Sequence, residues 1–254
     1  MKKLLIFLAA IPFFISCDNI GEDERYITVE GVKAERRVLL QEFTGQRCVN
    51  CPAAHQVIEK LEEQYGEDLI VVSIHAGQFG IKAPAGLMQV EGDEYASRWN
   101  VTTYPCGVID MTGGVLNSDS WATAIRNDLE KPTDLEIDIE AYVIDNNSIN
   151  ITTNMAASES VAGSMILWVV ENGIVTLQLD GEVTRTDYVH NNVFRACVNG
   201  VWGQPVKIAP REEFTVNSSI AIDSKWNLDN IYIVGYVYND SGVIQVNRCK
   251  VLDN

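Results

Sequence analysis

The chain has 254 residues, a mass of 28.2 kDa and 35 acidic against 19 basic side chains, which gives a formal net charge of −16 at neutral pH. So strong an acidic excess argues against nucleic acid as a partner and disfavours electrostatic attachment to anionic lipid. The length is sufficient for one large domain or two modest ones.

Residues 1–16 have the pattern of a bacterial lipoprotein export signal. Two lysines precede an apolar run over residues 4–15, which is too short to span a bilayer and ends at Ser16 and Cys17. Cleavage there leaves Cys17 as a lipidated N-terminus; the alternative is an ordinary secretory signal followed by a chance cysteine. Cleavage removes two basic residues and no acidic ones, so the mature charge is −18. Residues 17–35 predict a flexible, lipid-anchored tether.

Residues 36–131 predict an α/β domain, because apolar strand-like runs alternate with helical patterns. The predicted strands are residues 38–43, 69–74 and 107–111. The predicted helices are one that the C-x-x-C opens, one around residues 95–99 and one with Ser118 or Asp119 as its N-cap. Pro52 suits the first turn of the first helix, where its missing N–H is not needed.

Residues 132–254 predict a second, all-β domain. Apolar and polar side chains alternate with a period of two over residues 135–144, and further strand-like runs follow without intervening helices. These runs are predicted at residues 166–170, 193–198, 214–222 and 231–238. About seven short strands of this kind are typical of an immunoglobulin-like β-sandwich.

The strongest chemical motif is the C-x-x-C of Cys48 and Cys51, which follows a buried strand and opens a helix. The helix N-terminus and the neighbouring Arg47 favour a thiolate at Cys48, so the pair can cycle between a dithiol and a disulfide. A zinc knuckle or a static disulfide is the alternative interpretation of the same spacing.

The first domain resembles the thioredoxin superfamily at three places. The first is the strand, the C-x-x-C and the helix that follows it, and the second is Thr103-Tyr104-Pro105, which is similar to the cis-proline loop of that superfamily. The third is Glu42, at the position where the superfamily often has a buried acid. The resemblance implies that Cys48 attacks a substrate disulfide and Cys51 resolves the mixed disulfide. It also implies that Pro105 positions the substrate and that Glu42 exchanges a proton with Cys51. The alternative for Glu42 is an exposed strand carboxylate.

Cys106, directly after Pro105, is unusual for this superfamily and is expected to face Cys48. It could trap a disulfide there, or it could act as a soft metal ligand. His55 lies one helical turn after Cys51, so Cys48, Cys51, Cys106 and His55 together would supply three thiolates and an imidazole to copper or zinc. An ordinary solvated histidine is the alternative, and no other cofactor is predicted.

The remaining chemistry-bearing residues receive structural interpretations. Cys197 and Cys249 lie on two predicted strands near the end of the chain and are the natural candidates for a structural disulfide in an exported protein. The sequence does not show whether their Cα atoms are close enough to bridge. His75 at a strand end and His190 in a loop are expected to be structural.

Over its full length the chain resembles the outer-membrane lipoprotein family named for its twenty-eight-kilodalton size. The matching places are the lipoprotein signal, residues 42–52, residues 190–195 and Trp202-Gly203. The resemblance implies an outer-membrane location and the two-domain layout, without a settled reaction. The leaflet that the protein faces stays open.

Three functions are compatible with these features. The first is a lipid-anchored thiol–disulfide oxidoreductase that acts on exported proteins or peptides with cysteines. The second is a surface binding or adhesion lipoprotein with a thioredoxin-like scaffold whose disulfide rarely turns over. The third is a protein that binds a soft metal. Each predicts a different state of Cys48 and Cys51: exposed and reducible, inaccessible and oxidised, or masked by metal.

Overall fold

The computed structural model describes residues 35–145 and 147–253. The predicted export signal, the lipidation site Cys17 and nearly all of the tether lie outside these residues. The helices are α1 (Cys51–Tyr65), α2 (Val90–Arg98) and α3 (Ser118–Leu129), with short 3-10 turns at Gly66–Asp68, Gly77–Phe79 and Leu228–Asn230. The strands are β1 (Val38–Thr44), β2 (Leu69–His75), β3 (Cys106–Ile109), β4 (Thr112–Leu116), β5 (Leu135–Ile144), β6 (Ser148–Ala157), β7 (Val161–Glu171), β8 (Ile174–Asp180), β9 (Val183–His190), β10 (Val193–Cys197), β11 (Gln204–Ile208), β12 (Glu213–Ala221), β13 (Ile231–Asn239), β14 (Gly242–Lys250) and β15 (Leu252–Asp253).

Most strands belong to one large sheet. Among the described residues this sheet has the order β14-β13-β7-β10-β2-β1-β3-β4, and β11 pairs with β7 in addition. β1 and β2 are parallel, and Val193 of β10 pairs with Ser73 of β2. The strands before residue 131 and the strands after it are therefore hydrogen-bonded into a single sheet.

A second sheet of four strands, β12-β6-β5-β15, packs against part of the large sheet. The core between them contains the inward side chains of β5 and β6, such as Ile137 and Ile151, together with Leu167 and Ile233 of the large sheet. The strict alternation of β5, buried at every second residue, results from having one face on this core and one in solvent. The period-two pattern of the sequence is thus confirmed.

The three helices cover the other parts of the large sheet. Helices α1 and α3 pack on one face of β1, where Ile58 and Trp121 meet Leu40. Helix α2 packs through Tyr95 on a cluster that combines Phe43 of β1 with Trp168 of β7, Tyr236 of β13 and other residues of both halves of the chain. In the described part of the chain, no helix is both long enough and apolar enough to cross a bilayer.

The predicted fold class is wrong. The sequence predicted an α/β thioredoxin-like domain over residues 36–131 followed by a separate immunoglobulin-like sandwich over residues 132–254. The structure is mainly β and joins both halves in one sheet. The physical reason lies in β7 and β13, whose residues 165–171 and 233–237 are buried on both faces. Strands of this kind belong in the interior of a sheet with both faces covered, rather than in a free-standing sandwich.

Candidate functional site

Cys48 and Cys51 lie where β1 turns into α1. Residues 45–50, here called the cysteine turn, connect the buried strand to the helix, and Pro52 occupies the first helical turn as expected. The two cysteines are joined in a disulfide with a Cα–Cα distance of 5.4 Å. Cys51 is fully buried, and only 2% of Cys48 is exposed. An incoming thiolate therefore has no open path to the sulfur of Cys48 in this conformation.

Strands β8 and β9, residues 174–190, form a hairpin that covers the cysteine turn. We call it the covering hairpin. Its backbone pairs with the turn: Leu179 N–H donates to Gln46 O at 2.8 Å, and Gly181 N–H donates to Val49 O at 3.1 Å. Two backbone hydrogen bonds therefore hold the hairpin against the cysteine turn.

Two buried glutamines fasten the covering hairpin to the turn. The side-chain amide of Gln178 donates to Cys48 O at 2.9 Å and to Leu179 O at 2.9 Å. In the opposite direction, the amide of Gln46 donates to Leu177 O at 3.2 Å. The β8–β9 register shifts between Thr176 and Gln178, and such a bulge re-aims a side chain. Gln178 consequently lies fully buried under the hairpin.

Glu42 is fully buried in β1, as its proposed role requires. Ser73 Oγ donates to its carboxylate at 2.6 Å, and His55 Nε2 lies 3.2 Å from the other carboxylate oxygen. Nδ1 of His55 lies 2.7 Å from the hydroxyl of Tyr188 in the covering hairpin. Burial lowers the pKa of His55, but the adjacent Glu42 carboxylate outweighs burial, and the pKa lies above its usual value. A chain of polar contacts thus runs from Glu42 to the hairpin.

All three histidines of the sequence meet at the junction of α1, β2 and the covering hairpin. The rings of His75 and His190 lie 5.3 Å apart between centres, and Tyr188 stacks edge-on against His190 at 4.9 Å. Nδ1 of each of these two histidines has no hydrogen-bond partner among the described residues. Burial lowers the pKa of His190 to about 4 and the pKa of His75 well below its usual value. Both imidazoles are therefore neutral at pH 7.

Cys106 lies apart from helix α1. The Tyr104–Pro105 peptide is cis, as the sequence predicted. Cys106 pairs with Phe43 across β1 and β3 and packs in the same cluster as Phe43, on the face of β1 opposite to α1. The residue was expected to face Cys48, but strand alternation points its side chain away from α1. Burial and the negative Glu42 raise the pKa of the Cys106 thiol to about 12.

The proposed metal ligands are not arranged as a metal site. Two of them, Cys48 and Cys51, are bonded to each other, and Cys106 packs on the other face of the sheet. Within residues 35–145 and 147–253, no group of three or more His, Cys, Asp or Glu side chains has an arrangement that could hold a metal ion. His55 contacts Glu42 and Tyr188 instead.

Cys197 and Cys249 are free thiols, which corrects the predicted disulfide. Cys197 in β10 hydrogen-bonds to Tyr95, in the cluster under α2, whereas Cys249 in β14 packs on the core under the four-stranded sheet. The two strands are separated by β7 and β13, which puts them about 14 Å apart at normal strand spacing. A disulfide requires Cα atoms within about 7 Å.

We expect Cys106, Cys197 and Cys249 to react as free thiols when the oxidised protein is unfolded. Alkylation in denaturant without a reductant should modify these three residues and leave Cys48 and Cys51 unmodified. Peptide mass spectrometry of the full-length protein checks this result. A cross-linked peptide that contains Cys197 and Cys249 would contradict it.

An open groove lies along α2, away from the covering hairpin. It has a volume of about 600 Å³ and is lined by residues 82–83, residues 88–98 in part, and Trp202. Trp202 is 38% exposed, and its ring contacts Tyr95 edge-on at 5.3 Å between centres. We call this cavity the Trp202 groove. In the sequence, Trp202 belongs to a stretch that resembles the lipoprotein family, and its place shortly after Gly200 gives no other sign of a site.

The fold and the site together define a protein built on one large mixed sheet, with a covered disulfide and an open groove. The family model described as "Outer membrane protein Omp28" matches residues 92–254, more than half of the chain. The chain therefore belongs to the Omp28 family of outer membrane proteins. The family resemblance predicted from the sequence and the outer-membrane location are both confirmed, while lipidation at Cys17 stays a prediction.

Solved structures support the fold at low sequence identity. HBP35 of Porphyromonas gingivalis is 14% identical with a TM-score of 0.65, over 85% of this chain and 76% of that one. A protein from Agrobacterium tumefaciens is 12% identical with a TM-score of 0.54, over 85% and 94%. A domain of the outer membrane lipoprotein Omp28 from P. gingivalis is 18% identical over 48% and 91%, but its TM-score of 0.35 is too low to compare folds. No curated protein gives a significant match.

Proposed function

We propose that this chain is an outer-membrane binding lipoprotein in which the Cys48–Cys51 disulfide is a structural cross-link. The observation that carries the structural role of the disulfide is the near-complete burial of Cys48 beneath the covering hairpin. The open Trp202 groove supports the binding role. Thiol–disulfide exchange requires a thiolate to approach a sulfur atom, and the hairpin blocks that approach. The proposed partners are proteins or peptides of the cell envelope, and the proposed attachment to the membrane is the lipid on Cys17.

The bonding of the covering hairpin supports a permanent cover. Gln46 and Gln178 are both buried and both use their side-chain amides to hold the two segments together. Their amides would lose these partners if the hairpin opened. Opening would exchange these hydrogen bonds for bonds to water, a net loss of about 0.5–1.5 kcal/mol for each bond, so the closed hairpin is favoured.

We expect the substitution Gln178→Ala to speed reduction of the disulfide by roughly ten- to a hundredfold, because the hairpin then opens more often. The measurement is the rate at which a small dithiol reduces Cys48–Cys51 in the folded protein, read by thiol trapping and mass. Thr186→Ala, an exposed change on the same hairpin, is the matched control and should leave the rate unchanged.

The same preparation tests the function. The wild-type protein should not accelerate the reduction of insulin by a dithiol. If it does, or if its disulfide is reduced as fast as that of oxidised glutathione, the structural role of the disulfide is rejected.

A second candidate is thiol–disulfide exchange that occurs only when the covering hairpin is displaced. The contacts from Glu42 through His55 to Tyr188 favour it, because they connect a buried carboxylate beneath the cysteine turn to the hairpin itself. In this candidate Cys48 attacks, Cys51 resolves, and Glu42 holds the proton that Cys51 gives up. Acceleration of insulin reduction by wild type would favour it over the binding role.

A further inference from the structure

We infer that the Trp202 groove is the ligand site and that it takes a short peptide with an aromatic side chain and two charged termini. The inference rests on the proposed function, because it names the class of ligand for a binding lipoprotein. It depends on three properties of the groove: its size, a rigidly held aromatic ring and its charges.

The size of the groove selects a small ligand. A volume of about 600 Å³ lies in the middle of the range for small-molecule sites and accommodates a few residues of extended peptide, not a folded partner. Met88 and Val90 contribute apolar surface, and Val90 is 77% exposed. Met88 itself is only 5% exposed, so Val90 and Trp202 present the accessible apolar surface, and exposed apolar side chains that line a concave surface are typical of a binding site.

The protein holds the Trp202 ring in place before any ligand arrives. The backbone on both sides of the ring is fixed by tyrosine hydroxyls: Tyr95 donates to Val201 O at 2.6 Å, and Tyr238 donates to Trp202 O at 3.0 Å. Tyr95 is itself buried and accepts a hydrogen bond from Trp168. A ring that is rigid and still partly exposed offers a stacking surface with little entropy left to lose on binding.

The charges of the groove are of both signs. Lys82 and Arg98 are basic, and Asp93 and Glu94 are acidic. Within the described part of the chain, none of these four side chains forms an ion pair within 4 Å. Arg98 also lies 6.0 Å from the centre of the Trp202 ring. A peptide carboxylate at Arg98 would therefore place a neighbouring aromatic side chain beside Trp202. The ammonium group of the peptide would be available to Glu94, because Asp93 Oδ1 already accepts a hydrogen bond from the Gly77 N–H at 2.8 Å.

The probe for this site is the tripeptide glycyl-phenylalanyl-glycine with free termini, added to the full-length protein and followed by isothermal titration calorimetry. We expect a dissociation constant on the order of 0.1–1 mM, as for a ligand of few contacts. Glycyl-alanyl-glycine lacks the ring and should bind at least about tenfold more weakly. The capped phenylalanyl tripeptide, with an acetylated N-terminus and an amidated C-terminus, lacks the charges and should also bind more weakly.

Two groove variants and one control locate the binding. The groove variants Trp202→Ala and Arg98→Gln should each weaken binding of the phenylalanyl tripeptide by about tenfold or more. The control Val175→Ala changes an exposed apolar residue of the covering hairpin and should leave the binding unchanged. Unaltered circular dichroism shows that each variant is folded, and Arg98→Gln tests the groove independently of any effect of Trp202→Ala on packing.

Absence of binding to the wild-type protein at about 10 mM, or binding by both groove variants that is as tight as that of wild type, would overturn the inference. Equal binding of the capped and free peptides would overturn the role of the charges. The binding measurements do not depend on the disulfide. Slow reduction of Cys48–Cys51 together with no peptide binding would therefore reject the groove as the ligand site and leave the structural role of the disulfide in place. Rapid reduction with insulin turnover rejects the proposed function.

Discussion

Replacement of Trp168 by alanine is expected to lower the free energy of unfolding by about 3–5 kcal/mol. Trp168 in β7 is fully buried, and its ring makes edge-on contacts with Tyr95, Phe194 and Tyr236 at 4.9–5.5 Å between centres. Its indole N–H donates to the Tyr95 hydroxyl at 2.9 Å. The change leaves a large cavity at the point where strands of both halves of the chain meet, and surrounding side chains in a sheet cannot close it.

Urea denaturation followed by circular dichroism measures this loss as a shift of the midpoint at constant slope. Trp202→Ala is the matched control, because it removes the same side chain from a partly exposed position and should cost about 1 kcal/mol or less. Equal losses for the two variants would show that Trp168 does not hold the halves of the large sheet together.

Acidification is expected to destabilise the protein through His190. Burial and the nearby His55 hold the pKa of His190 at about 4 in the folded state, against 6.5 for an unburied histidine. Between these values the unfolded chain binds the proton more readily, so stability falls as the pH is lowered. The contribution is fully present above pH 6.5 and is lost progressively down to about pH 4. The difference between the two pKa values of His190 corresponds to a loss of roughly 3 kcal/mol in the free energy of unfolding. The lowered pKa of buried His75 adds to this loss.

The His190→Gln variant isolates this effect from other titrating groups. Glutamine places an amide N–H donor at the position of His190 Nε2, which contacts Leu177 O at 3.3 Å, but it does not titrate. The free energy of unfolding should therefore fall less steeply for the variant than for wild type between pH 6.5 and pH 4, as measured by urea denaturation at each pH. Parallel curves for the two proteins would contradict the assignment to His190.

The sequence predicts most individual elements but not how they assemble. β1 and β2 are found within one residue of the predicted strands, and α1 opens at the C-x-x-C as predicted. α3 has Asn117 as its N-cap, one residue before the first of the two predicted N-caps. These elements are specified locally, by apolar runs, Pro52 and the alternation of β5. β2 pairs with β1 on one side and with β10 on the other. No local pattern specifies the pairing with β10, because β10 lies far along the chain and contacts β2 through a single residue pair. The continuous apolar run of residues 165–170 was the available sign of a strand buried on both faces.

The candidate site shows the same division. The positions of Cys48, Cys51 and Glu42 follow from local patterns. Glu42 is buried, as expected for a residue beneath the cysteine pair. Cys48 was expected to be exposed, but the covering hairpin buries it. The cover depends on Gln178, which lies between two leucines in a strand and by alternation alone would be expected on the polar face. A bulge turns it inward, and bulges have no reliable sequence pattern.

The covering hairpin also fixes an order of events during maturation. Cys48 and Cys51 precede residues 174–190 in the chain, so the cysteine turn is made before the hairpin that covers it. An oxidant of the envelope reaches the thiols most readily before the hairpin docks. We therefore expect the bond to form in an incompletely folded chain, and docking of the hairpin then to slow its reduction in the finished protein.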